Sequence, residues 1–160
     1  MDGTTKELVS FCGLYCKDCI RYQYPTMKTA QTLLDNLSEN TFESYAVIKK
    51  NTNKTFKNYD GFIEVLQDIV QLRCDQPCRI TGGCSSFAYQ ILRCCREKGC
   101  EGCWACKQLY ACDKFKFLKA LRGDTPKKSC IIIQQHGIEK LEEERYPFYV
   151  WDTRKGATEQ

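Results

Sequence analysis

Residues 73–115 read RCDQPCRITGGCSSFAYQILRCCREKGCEGCWACKQLYACDKF. Nine of the chain's 13 cysteines fall in this stretch, and their spacing decides how the rest is read. The densest part is Cys100-Glu101-Gly102-Cys103-Trp104-Ala105-Cys106, followed by Cys112. A Cys-x-x-Cys step brings two thiolates onto one ion across a tight turn, at a Zn–S distance of about 2.3 Å. Two such steps share Cys103, and Gly102 between them allows the bend.

Nearer the start, Cys12-x-x-x-Cys16-x-x-Cys19 follows the same logic. Even on a helix, steps of four and three residues put all three sulfurs on one face. Cys74, Cys78 and Cys84 form a third cluster, with turns at Pro77 and Gly82-Gly83. A single cysteine is most often a small buried hydrophobe. Cys130, just before Ile131-Ile132-Ile133, is therefore assigned to the core. So is one of the adjacent pair Cys94 and Cys95, packed beside Phe87 and Ile91.

The chain of 160 residues suits one domain with a modest core, spanning 1–151 and followed by a frayed tail at 152–160. No run approaches 18 apolar residues, so no membrane span is expected. The opening MDGTTKELVSF lacks the apolar centre of a secretory signal. A chain that is not exported meets a reducing compartment, where disulfides are rare. An odd number of cysteines would also leave a disulfide framework incomplete. Cytoplasmic and metal-binding is the consistent pair. The formal charge of +4 counts thiols as neutral. Each zinc held by four thiolates contributes about −2, so two such sites remove the basic excess. Charge thus gives little support to nucleic-acid binding. Tyr22, Tyr24, Trp104 and Tyr149 near basic residues permit it, but core packing accounts for them equally well.

The predicted fold is mainly α, a small helical domain with cysteine-rich zinc-knuckle loops and little or no sheet. Leu8, Val9 and Phe11 pack near the first triplet. Thr26 caps a helix over 27–37 with Met27, Ala30, Leu34 and Leu37 on one face. A second helix starts near Thr41, carrying Phe42, Tyr45, Ala46 and Ile48, and runs into a lysine-rich loop over 49–55. Asp60 caps a helix over 61–73 with Phe62, Val65, Leu66, Ile69 and Leu72 at helical spacing. Ser85 or Ser86 caps Phe87–Lys98, which Gly99 closes. Lys107–Arg122 reads as a helix with Tyr110, Phe117, Leu118 and Leu121 inward. Thr125-Pro126 starts another, reaching about Gln135 or His136, although its isoleucine run would also suit a strand. Ile138–Arg145 forms a short helix, and the aromatic segment Tyr146–Trp151 packs onto the domain.

The segments Phe11-Cys12-Gly13-Leu14-Tyr15-Cys16-Lys17-Asp18-Cys19, the Cys-Arg and Gly-Gly-Cys steps over 78–84, Arg93-Cys94-Cys95-Arg96-Glu97-Lys98-Gly99, Glu101-Gly102-Cys103-Trp104-Ala105-Cys106 and Cys112-Asp113-Lys114 form one combined pattern. Together they resemble the domain-of-unknown-function 3795 family of small bacterial and archaeal cysteine-rich proteins. The resemblance implies a zinc protein with no established activity. Carried over residue by residue, its metal-binding positions are Cys12, Cys16, Cys19, Cys78, Cys84, Cys94, Cys103, Cys106 and Cys112.

Three functions compete. The first is a structural zinc module for an unidentified macromolecular partner, since closed four-thiolate sites hold short loops that would not fold alone. The second is iron–sulfur chemistry. Cys12-x-x-x-Cys16-x-x-Cys19 is similar to the radical S-adenosylmethionine cluster motif, and the Cys100–Cys106 steps to those of ferredoxins. The chain is short and helical for the former, and the latter lacks its proline-marked fourth cysteine. The third is an enzyme. No catalytic motif is present, and the one histidine, His136, lies outside the cysteine field near a helix end.

Overall fold

The computed structural model describes residues 5–22, 25–83 and 86–152. Cys84, Ser85, Tyr24 and the tail beyond Asp152 lie outside the described residues. The chain forms two compact units, one of residues 1–22 with 76–160 and one of residues 23–75. Among the described residues there is no strand, and Val9 and Tyr15 pair in one isolated antiparallel bridge.

The first unit opens with α1 (Thr5–Leu8), which ends in the fully buried Leu8 and Val9. The second unit holds α2 (Pro25–Glu39), α3 (Phe42–Lys49) and α4 (Tyr59–Gln71). α2 begins two residues earlier than the sequence suggests, because Pro25 fits the first helical position, where no N–H is needed. α4 also starts early, with Asn58 as its N-cap and Asp60 inside the first turn, favourable to the helix dipole. α2 packs against α4 and α3. The lysine-rich run closes in a 3-10 turn over Lys54–Asn58, where the Asn53 side chain accepts from the Thr55 amide. The apolar stripes are only partly covered. Met27, Ala30, Ala46 and Leu66 are buried, whereas Tyr45, Ile48, Phe62 and Val65 are exposed.

The chain then returns to the first unit with α5 (Cys78–Thr81), α6 (Ser86–Glu97), α7 (Lys119–Arg122), α8 (Thr125–His136) and α9 (Leu141–Glu144). Gly99 closes α6 with φ +62°. α8 is a helix through its isoleucine run, not a strand, and supplies much of the core through Pro126, Cys130, Ile132 and Ile133. Its N-cap is Asp124. Thr125 is its first residue and donates its hydroxyl to the Pro147 carbonyl at 2.7 Å. That bond ties down the aromatic segment, of which Phe148 and Tyr149 are buried.

The helix expected over 107–122 does not form. Turns over 107–114 give way to a 3-10 turn (Lys116–Leu118) and then the single turn of α7. The irregular path buries Leu109 (1% exposed) and Phe115 (6%), while Tyr110 and Leu121, expected inward, point out. A continuous helix would follow its own apolar spacing. Here burial of Leu109 and the placement of Cys106 and Cys112 on one cavity prevail over local propensity.

Candidate metal centre

Two Cys-x-x-Cys steps in the first unit share one backbone form. Cys16–Asp18 and Cys103–Ala105 are both three-residue 3-10 turns entered from extended backbone. Each is capped by the second cysteine, with Cys19 at φ −80°, ψ 124° and Cys106 at φ −85°, ψ 124°. The cap amide donates to the carbonyl of the first cysteine, at 2.9 Å for Cys19 and 3.1 Å for Cys106. In a 3-10 turn, residues three apart eclipse, so each turn places its paired cysteines on one side. Gly102 lies so close to the Trp104 ring that an added Cβ would come within 2.3 Å of it. Gly13 (φ +83°) lies beside Cys130, whose sulfur would be 2.7 Å from such a Cβ. The Cys103 amide donates to the Phe11 carbonyl at 2.8 Å, which ties the second turn to the residue before Cys12. Asp18, nearly buried, is held by Arg145 at 2.7 Å.

Each turn opens on a cavity lined by further cysteines. Cys12, Cys16, Cys19 and Cys78 line one of about 90 Å³, together with Arg122 and a wall of Phe11, Leu14 and Phe148. Cys94, Cys95, Cys100, Cys103, Cys106 and Cys112 line a second of about 20 Å³, room for roughly one water-sized sphere. Ile91, almost fully buried, borders both. All eight described positions carried over from the resemblance fall into these two groups, and Cys95 and Cys100 join them. Cys74 belongs to the 23–75 unit. His136 is exposed, and cysteine sulfur is the main metal donor lining both cavities.

Within the groups the sulfurs interact in pairs. Cys95 and Cys103 stand 3.8 Å apart. Ser10 Oγ lies 3.1 Å from Cys12 Sγ, and Tyr149 Oη lies 3.7 Å from Cys19 Sγ. The Cys78 amide donates to Cys16 Sγ at 3.3 Å. Lys98 Nζ lies 4.0 Å from Cys106 Sγ. The described cysteines are all free thiols. As the side chains stand, no three cysteine, histidine or carboxylate groups among the described residues converge tightly enough to enclose an ion.

Four of the thiols, Cys12, Cys95, Cys100 and Cys103, are biased toward their neutral form. Contact with Cys103, then burial, raises Cys95 far above the ordinary thiol range. Contact with Cys130 does the same to Cys103, with burial adding to it. Burial raises Cys12 against its bond with Ser10, and Cys100 is raised by burial and then by Cys106. A divalent cation would be the largest local charge and would reverse this preference, deprotonating the thiols it binds. The donor set therefore suits a thiophilic ion such as zinc.

Cysteine spacing alone does not resolve how the cysteines group. Cys95 is the member of the adjacent pair in sulfur contact with Cys103. Cys95 is buried in the core, as expected of one of the adjacent pair, and both Cys94 and Cys95 border the small cavity. Cys130 is fully buried, as expected, and touches Cys103.

The fold and these groups define an all-helical, cysteine-rich protein. The chain belongs to the family described as Protein of unknown function (DUF3795), which matches residues 8–117 and so takes in both turns and both groups. No curated protein and no solved structure matches it.

Proposed function

We propose that the chain is a zinc-binding protein whose thiolate sites are structural. The observation that carries this reading is the pair of equivalent Cys-x-x-Cys turns, each facing a cavity lined by further cysteines. Cys12, Cys16, Cys19 and Cys78 would hold one zinc. Cys103 and Cys106 would hold another with donors drawn from Cys94, Cys95, Cys100 and Cys112. Cys84 is a further candidate from the sequence. Modest side-chain rotations would bring the sulfurs together, and the bound ion supplies cross-links between segments too short to fold alone.

A structural metal leaves function to the surface, and we assign the chain a role as a binding module for a macromolecular partner. Support comes from an apolar patch in the first unit, where the Val150 amide donates to the Leu121 carbonyl. Leu121 (53%), Val150 (56%) and Trp151 (58%) are all exposed there, as at protein-binding surfaces. No helix among the described residues is long and apolar enough to cross a membrane. A reducing compartment such as the cytoplasm fits free thiols that bind metal.

One observation favours iron–sulfur chemistry as the second reading. The cavity around Cys12, Cys16, Cys19 and Cys78 is larger than a single ion needs, and four thiolates suit a cluster. Elemental analysis of protein purified anaerobically without added metal decides between the two. A colourless protein carrying zinc supports the first reading. A brown protein carrying iron and acid-labile sulfide replaces it with the second, and protein free of both metals rejects both.

A further inference from the structure

Two arginines in the first unit keep a buried N–H without a partner, and both belong to the surroundings of the cysteine groups. Arg122 lies over two rings, its Cζ 4.1 Å from the centre of Phe148 and 4.0 Å from that of Tyr149. It lines the cavity of Cys12, Cys16, Cys19 and Cys78, and its Nη1 is buried with no hydrogen-bond partner. Arg79 follows the ligand candidate Cys78. Its Cζ is 4.6 Å from the centre of Phe11 and 5.1 Å from that of Trp104. Its Nε donates to the Val9 carbonyl at 2.8 Å and its Nη1 to the Glu101 carbonyl at 3.0 Å. Its Nη2 is buried without a partner. Arg79 follows Cys78 of one group, and its partner Glu101 stands between Cys100 and Cys103 of the other.

Stacking on rings accounts for the faces of a guanidinium but not for its edge. Its N–H groups lie in the plane, and a charged donor buried without an acceptor is costly. Neutral thiols are poor acceptors, whereas a zinc with four thiolates carries two surplus negative charges and sulfurs that accept N–H bonds well. We propose that Arg79 and Arg122 are positioning residues for the thiolate sites, offsetting their negative charge and donating to the metal-bound sulfurs. This rests on the thiolate reading above. It also gives the sites a character, because sulfurs that are charge-compensated and hydrogen-bonded are weak nucleophiles. Such sites retain their metal and resist electrophiles, as a structural centre must. Arg122 serves the Cys16 group, and Arg79 stands where it can act on both.

The test uses the full-length, zinc-loaded chain and its Arg122→Met, Arg122→Lys and Arg79→Met variants. Zinc transfer to a chromogenic chelator is followed together with iodoacetamide alkylation of each cysteine, located by peptide mass spectrometry. Arg122→Met should weaken zinc retention by about ten- to a hundredfold, the usual range for loss of an outer partner of a metal site. Faster alkylation should be confined to Cys12, Cys16, Cys19 and Cys78. Arg122→Lys, which keeps the charge, should lie between Met and wild type. Arg79→Met should loosen both groups and carries the test by itself if Arg122→Met does not fold. Arginine variants that fold, and hold zinc and resist alkylation like the wild type, overturn the proposal while leaving the zinc reading intact. A wild-type chain without thiolate-bound metal overturns both.

Discussion

In the 23–75 unit, three helices of 15, 8 and 13 residues are joined by short turns, and the unit contributes one of the 13 cysteines, Cys74. In the other unit, beside the 12-residue α6 and α8, α1, α5, α7 and α9 are four residues each, and the remaining described cysteines gather around two cavities or lie in the core. A helix of 13 or 15 residues approaches the length at which local hydrogen bonding sustains itself, given one packed face. A helix of four residues completes barely one turn and holds only if its surroundings hold it. The contrast shows two sources of order in one chain: local periodicity in one unit and, in the other, dense side-chain packing to which the proposed zinc sites would add cross-links.

The comparison breaks most decisively on metal removal. Structural zinc in small sites contributes on the order of 10–16 kcal/mol of apparent binding energy. Chelation should therefore abolish amide-exchange protection around Cys16–Asp18, Cys103–Ala105 and α8, while α2 and α4 keep theirs. Equal loss in both units, or none in either, would remove the distinction. Next in size is truncation of the core. Leu109→Ala, at a site 1% exposed, should cost about 2–5 kcal/mol in chemical denaturation. Leu33→Ala, at a site 39% exposed on α2, should stay within about 0.5 kcal/mol.

Two glycine substitutions sharpen the contrast further, with opposite signs. Gly102→Ala forces a Cβ against the Trp104 ring and should destabilise by about 1–3 kcal/mol. Gly61→Ala, inside α4 with nothing near its added Cβ, should stabilise by about 0.5–1 kcal/mol through helix propensity. Stabilisation by Gly102→Ala would mean that the tight turn can yield, and loss of stability in Gly61→Ala would mean that α4 is not held by its own helical order.

The same division governs what could be read from residues alone. Pro25, the spacing of Phe62 to Leu72, and Thr125-Pro126 each carry a local signal, and helices stand at all three places. Burial was less legible. Phe62 and Val65 have the spacing of a core face yet remain exposed, because periodicity marks a face without saying how much of it is covered. Residues 107–122 failed for the opposite reason: their helical spacing is genuine, but Leu109 and Cys112 are drawn to positions fixed by distant parts of the chain. The candidate site divides likewise. Cys-x-x-Cys spacing identified the two turns, whereas the meeting of Cys78 with Cys16, separated by 62 positions, has no local signature. Arg79 and Arg122 have none either, since an arginine's unpaired edge becomes visible only when its surroundings are in place.

The central claim is that sulfur from these cysteine groups holds zinc. X-ray absorption at the zinc edge, on protein purified without added metal, tests it most directly. The account predicts a shell of about four sulfurs at about 2.3 Å with no nitrogen or oxygen neighbour. A first shell of nitrogen and oxygen, or no bound zinc at all, would contradict it.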